Sequence, residues 1–252
     1  MRIVMLGTGT AWPVRGQACA GIYIYAAGQH WLFDAGPGTL QRLLALGVTH
    51  GDLDRIFLTH FHPDHCAELV PLLFAMHLPD PARTKPLTVT GPQGMRRVYR
   101  RLNAAFSGWL APRGYRLTLR EVGDAAQRLG TCRVVSRRMP HGPPAVGFRV
   151  ECGGRSVAYS GDTAEGPGVV ELGRNADVLI LECSAPDAHP VAGHLTPSAC
   201  GRIAAAAGCR RLVLTHRAPS VQEGLARRGV RTQYAGPLVF ARDLQALRLG
   251  SS

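Results

Sequence analysis

The segment LTHFHPDHC sets His60, His62, Asp64 and His65 directly behind a short apolar run. Side chains two residues apart on an extended backbone point to the same side, so His60 and His62 can grip one metal ion. Pro63 turns the chain and returns Asp64 and His65 to the same mouth from another direction. Imidazole nitrogens and carboxylate oxygens are the usual donors for zinc and similar divalent cations. Four such donors within six residues are too dense to read as a chance set of solvated loop side chains. Three further candidates each follow an apolar run: His141 after VVSRRMP, Asp162 closing SVAYSGD and His216 closing RLVLTH. Polar residues at strand ends are where active sites of layered α/β proteins gather. The full set is five histidines and two aspartates, enough for two ions that share one bridging carboxylate.

The elements that must position these residues are short. Strands are predicted over residues 3–6, 22–25, 31–33, 56–59, 87–90, 117–122, 132–139, 145–151, 156–160, 178–182 and 212–214. Helices are predicted over 39–46, from His65 to about Met76, over 93–106 and over 196–207. Gly47 stops the first helix; Thr196 caps the last, Pro197 sits in its first turn and Gly208 ends it. Hairpin-forming strands with interspersed helices predict two packed sheets flanked by helices. No internal repeat or long linker divides the chain, so residues 1–252 are expected to form a single domain.

The pieces THFHPDH, His141, YSGDT and LTH stand in the order found in the metallo-β-lactamase superfamily, which this sequence resembles from about Met1 to Arg217. The resemblance implies an α/β fold, the four-layer αβ/βα sandwich, with the metals at one edge. It implies that His60, His62 and His141 hold one ion, that Asp64, His65 and His216 hold the second, and that Asp162 bridges them. DVLILECS and GHLTP add Glu182 and His194. In the phosphodiesterase branch typified by ribonuclease Z, a Glu–His pair at these positions helps protonate the leaving oxygen. The opening LGTGTAWP and the LFDAGPG turn with Asp34 are similar to that branch as well. The implied function is hydrolysis of a phosphodiester, in RNA or a small or cyclic molecule, by a hydroxide bridging two divalent ions. Zinc suits the donor set best and manganese is compatible. Asp64, Glu182 and His194 are the expected catalytic residues, and a homodimer is expected by resemblance. The interval from His141 to Asp162 is 21 positions, which leaves no room for the tRNA-clamping arm that bacterial members commonly carry there. The cyclic phosphodiesterases with an extra cysteine-rich zinc site fit poorly, since only Cys19 lies in the relevant early loop.

Two rival readings stand beside this one. The same fold serves lactonases, thioesterases and arylsulfatases, for which the Glu182–His194 pair would be only structural. A basic, non-catalytic nucleic-acid-binding module is the other. The net charge of +12 is carried almost entirely by arginine, Lys85 being the only lysine. Arginine suits bidentate grips on phosphate. MRRVYRRL sets Arg96, Arg97, Arg100 and Arg101 at i, i+4 spacing on one helix, as a phosphate contact or as a solvated face. Arg15, in the first loop, reads as a contact to a substrate phosphate or as an ordinary solvated loop residue. His30, His50, His77 and His189 read as surface or satisfied core histidines. The seven cysteines form no C-x-x-C pair and no evident disulfide frame, which predicts a reduced, cytoplasmic protein. No run of about 20 apolar residues is present, so no membrane association is expected. Glycines in MRIVMLGTGT interrupt what a signal peptide would need.

Overall fold

Strands buried on both faces dominate the computed structural model, which describes residues 1–80, 82–142 and 144–249. One sheet contains β1 (Arg2–Gly7), β2 (Gly21–Ala26), β3 (Gln29–Phe33), β4 (Leu53–Phe57), β5 (Leu87–Pro92), β6 (Leu117–Val122) and β14 (Gln245–Leu247). Its order is β14-β1-β2-β3-β4-β5-β6. The other contains β7 (Ala125–Leu129), β8 (Cys132–Arg138), β9 (Val146–Cys152), β10 (Arg155–Tyr159), β11 (Val178–Glu182), β12 (Leu212–Thr215) and β13 (Leu238–Phe240). Its order is β13-β12-β11-β10-β9-β8-β7, so the second half of the chain mirrors the first.

The period-2 alternation of side chains sorts the apolar residues into three cores. Ile3, Met5, Phe33, Phe57, Phe148, Val178 and Ile180 lie between the sheets. Phe33 stacks on Phe57 with ring centroids 4.5 Å apart. The intervening residues Val4, Leu6, Leu32 and Ile56 face outward, against α1 (Thr39–Ala45), α3 (Leu69–His77) and α4 (Met95–Ala105). On the opposite side, Leu179, Leu181, Leu212 and Leu214 cover α5 (Pro167–Gly173), α6 (Pro197–Ala207) and α7 (Glu223–Arg231). The result is the expected four-layer αβ/βα sandwich. Thr196 caps α6 by accepting from the Ala199 N–H at 3.4 Å.

Three differences from the sequence-based expectation concern local structure. The helix expected to run on from His65 is broken into α2 (Pro63–Cys66), with proline at its start, and α3. The short α5, the polar, glycine-containing α7 and the strands β7, β13 and β14 were not predicted. The first two have weak apolar patterns, and three-residue strands exist only because β1 and β12 offer edges. The cysteines are corrected too: Cys132 and Cys152 form a disulfide. They face one another once β8 pairs β9 with Arg133 opposite Glu151, a register that sequence spacing does not reveal. Cys19, Cys66, Cys183, Cys200 and Cys209 are unpaired. No helix among the described residues is long and apolar enough to cross a membrane. Thiol titration of the denatured, unreduced protein is expected to give five thiols per chain rather than seven.

Candidate metal centre and active site

The candidate residues converge because five strands deliver their C-terminal ends to one edge of the sandwich. β4 leads into Thr59 and His60, β8 into His141, β10 into Asp162, β11 ends at Glu182 and β12 leads into His216. The turn of α2 adds Asp64 and His65, both buried. Donor atoms of His60, His62, His141 and Asp162 lie within 4.8 Å of one another, as do those of Asp64, His65 and His216. Asp162 is thus part of the first group, and its Oδ1 lies 3.2 Å from His65 Nε2 and 3.4 Å from His216 Nδ1 in the second.

The hydrogen bonds around the rings dictate which nitrogen is bare. Asp34, fully buried at the end of β3, accepts from His65 Nδ1 at 2.8 Å. It also accepts from the Thr59 N–H at 2.7 Å, the Thr59 hydroxyl at 2.9 Å and the Tyr159 hydroxyl at 2.8 Å. Having spent its proton on Asp34, the Thr59 hydroxyl must accept from His60 Nδ1, 3.0 Å away. The Ser184 hydroxyl donates to the His216 carbonyl and therefore accepts from His216 Nδ1, at 2.9 Å in both cases. His141 Nδ1 donates to the Gly193 carbonyl at 2.9 Å. With Nδ1 engaged in each ring, Nε2 of His60, His65, His141 and His216 is the nitrogen turned to the centre, and as an acceptor it is free for a cation.

Acceptors then face acceptors. His65 Nε2 lies 3.1 Å from His216 Nε2, and His216 Nε2 lies 3.1 Å from Asp64 Oδ2. His60 Nε2 and Asp162 Oδ1 are buried without a hydrogen-bond partner. Converging lone pairs in a dry site are tolerable only around positive charge. The titration behaviour expresses the same demand. Burial pushes His60 down to about 2, holding it neutral. Burial alone would raise Asp64, but the neighbouring His216 and His65, when they carry the proton that an ion would replace, bring it down to about 2. Burial disfavours charge on His65, yet Asp162 and Asp34 outweigh it and raise its pKa well above the ordinary value. The donor set fits divalent cations.

Glu182 and His194 are organised differently. His194 Nδ1 donates to Glu182 Oε1 at 2.8 Å. Oε1 also accepts from the Thr163 N–H at 3.1 Å, and Oε2 accepts from the Ser184 N–H at 2.9 Å. The carboxylate is therefore engaged in orienting His194 rather than free to ligate, although it lies within 4.8 Å of Asp162 and His194. The hydrogen bond that His194 donates to Glu182 raises the His194 pKa against the opposing effect of burial. His194 and Asp64, together with His62, Asp162 and His216, line a pocket of about 700 Å³ walled by Trp12, Val191 and Pro219. Arg15, on the same loop as Trp12, is exposed and does not line it.

Backbone and small residues complete the frame. Asp34 and His216 both adopt positive φ, 55° and 49°. Such strain persists where surroundings over-determine it. Gly161 is required beside Asp162: a Cβ there would lie 2.5 Å from the Thr59 Cβ. Sequence reasoning gave Asp34 no role and missed Thr59, Tyr159 and Ser184. Their only signal is adjacency to ligands, in LTH, YSGD and LECS. His30 pairs with the Tyr23 hydroxyl at 2.9 Å and His77 with the Ala111 carbonyl at 2.7 Å, as expected of satisfied histidines.

Residues 30–217 match the beta-lactamase superfamily domain model. A ribonuclease Z of Mycobacterium marinum is 31% identical over 99% of this chain and 99% of its own length. Human tRNase Z, short form, superposes with a TM-score of 0.80 at 25% identity, covering 100% of both chains. The metallo-beta-lactamase fold protein YhfI from Bacillus subtilis superposes with a TM-score of 0.86 at 23% identity over 98% of each chain, a likeness of fold. The chain belongs to the β-lactamase superfamily and, within it, to the ribonuclease Z-like branch of metal-dependent hydrolases.

Asp34→Asn keeps the size of the side chain but removes the charge that orients His65. Loss of such an outer partner typically costs roughly 10–100-fold in metal affinity. That loss is expected in competition titrations against a chromophoric chelator.

Proposed function

We propose that this protein is a dinuclear phosphodiesterase acting on RNA. The observation that carries the reading is the convergence of bare imidazole nitrogens and carboxylate oxygens about Asp162, beside a histidine held by Glu182. His60, His62 and His141 would hold one ion, Asp64, His65 and His216 the other, with Asp162 between them. The histidine-rich set suits zinc best, and manganese is compatible. Such a pair supplies Lewis acidity towards phosphoryl oxygens and a water acidified enough to act as nucleophile near neutral pH.

The residues of the chain supply the rest. The pocket at the centre admits one nucleotide-sized group, and exposed Trp12 offers a flat apolar wall to a base. His194 keeps one proton on Nδ1 for Glu182 and, when charged, offers the other from Nε2 to the departing oxygen. Its raised pKa keeps it protonated to higher pH than an ordinary histidine. Asp34 holds His65 directly and His60 through Thr59, so ligand geometry is set before substrate arrives.

The inter-sheet core draws residues from both halves of the chain, which supports reading residues 1–252 as one domain. We also read the protein as a homodimer. Exposed Phe74, Phe106 and Trp109 around an apolar hollow of about 520 Å³ support a buried contact there. We read it as cytoplasmic, a reading supported by its likeness to the ribonucleases Z and by five of its seven cysteines being unpaired.

The test compares leaving groups. A good leaving group such as p-nitrophenolate departs without a proton, whereas a ribose oxygen needs one. His194→Ala is therefore expected to lower cleavage of a 3′-extended tRNA precursor by roughly 10²–10⁴-fold and to change bis(p-nitrophenyl) phosphate hydrolysis far less. Equal, small effects on both would favour a lactonase, thioesterase or arylsulfatase. In Glu182→Gln, His194 loses the partner that raises its pKa. The basic limb of the kcat/KM profile for RNA is then expected to move to lower pH.

A further inference from the structure

Helix α4 carries no acidic residue, and its basic ones occupy a single face. Met95, Val98, Tyr99 and Leu102 turn inward, with Met95 buried and Tyr99 and Leu102 packed on the outer core. The Tyr99 hydroxyl is spent on the Leu110 carbonyl at 3.3 Å. Arg96, Arg97, Arg100 and Arg101 are all exposed on the opposite arc. Arg96 and Arg100, like Arg97 and Arg101, stand one turn apart, where like charges destabilise a helix.

Several arginines elsewhere on the surface are matched, whereas others, such as Arg2, Arg128, Arg174 and Arg228, stand singly. Arg133 and Arg149 pair with Glu151, Arg137 with Glu171, Arg202 with Glu165, Arg227 with Glu223 and Arg42 with Asp243. Among the described residues, no carboxylate pairs with any of the four α4 guanidinium groups. Glu121 on β6, beside the start of the helix, accepts instead from the backbone N–H of Gly94 and Arg96.

A groove leads from the metal centre towards the start of α4, with Glu121 also in its lining. It has a volume of about 580 Å³ and runs from His141 past Arg138 and Met139 to Gln93, the second residue before α4. The Arg138 guanidinium lies over Gly123 within it.

We propose that the α4 arginines, reached through this groove, form an RNA-backbone surface that holds the strand extending from the phosphodiester in the active site. This surface rests on the RNA reading proposed above. Four unmatched, closely spaced guanidinium groups suit a row of phosphates, and the groove leads from His141 to Gln93, two residues before the helix. The contacts are to the backbone and carry no base selectivity.

The test removes the charge and reads binding and cleavage separately. Arg96, Arg97, Arg100 and Arg101 are all changed to alanine, which raises helix propensity at exposed positions. A control replaces Arg2, Arg128, Arg174 and Arg228, exposed elsewhere, and so removes the same net charge. Binding of a 3′-extended tRNA precursor is followed by fluorescence anisotropy across a salt series, each set being placed in a His194→Ala chain to slow cleavage. The α4 variant is expected to bind at least tenfold more weakly at low salt. Its log Kd–log salt slope should be shallower by about 3, near 0.7–0.9 for each lost phosphate contact. The control should lose much less. In chains with intact His194, kcat/KM for the precursor should fall with the α4 change while bis(p-nitrophenyl) phosphate hydrolysis stays constant. Equal losses of binding in variant and control, or none in either, overturn the surface even if RNA is cleaved. RNA binding that depends on α4 without any RNA cleavage upholds the surface and overturns the function proposed above. A wild-type chain that does not bind the precursor overturns both.

Discussion

The buried carboxylate of Asp34 is the interaction on which the site depends. It sits at the end of β3 in a left-handed backbone conformation and accepts four hydrogen bonds, from Thr59 twice, His65 and Tyr159. Those partners come from the loop after β4, from α2 and from β10, so one side chain ties the two sheets together at the edge where the ligands emerge. Its negative charge also decides chemistry: it takes the Nδ1 proton of His65 and, through Thr59, sets that of His60. An unpaired ion buried so deeply would be costly, and the four donors offset that cost.

From that constraint the rest follows by geometry. Alternating strands bury one face between the sheets and the other under helices, and the loops at the strand ends are where the histidines and aspartates of the site converge. His141 and His216 are held by a carbonyl and a hydroxyl as His65 is held by Asp34. Each ring therefore turns its Nε2 to the same small volume. Glu182 uses both of its oxygens to hold His194 and two backbone N–H groups, which keeps this pair distinct from the converging histidines and aspartates. The rigidity needed for chemistry comes from this outer layer of hydrogen bonds.

Much of this was legible in the sequence because its signals are local. HFHPDH packs four donors into one turn, and SVAYSGD, RLVLTH and DVLILE each show an apolar strand running into a polar residue. The two-sheet sandwich followed from the same strands. What was not legible depends on distant pairing. The Asp34–Tyr159 bond spans 125 positions, and the Cys132–Cys152 disulfide needs the β8–β9 register. The edge strands β13 and β14 are three residues each and exist through their neighbours. The basic face of α4 was visible as spacing, but its lack of acidic partners and its groove to His141 appear only in three dimensions.

Anomalous scattering from crystals of the purified protein, recorded above and below the zinc and manganese edges, tests the central claim most directly. The account predicts two ions about 3.5–4 Å apart. One is expected against His60, His62 and His141, the other against Asp64, His65 and His216, with Asp162 touching both. A single ion, or an ion seated on Glu182 and His194, would contradict it.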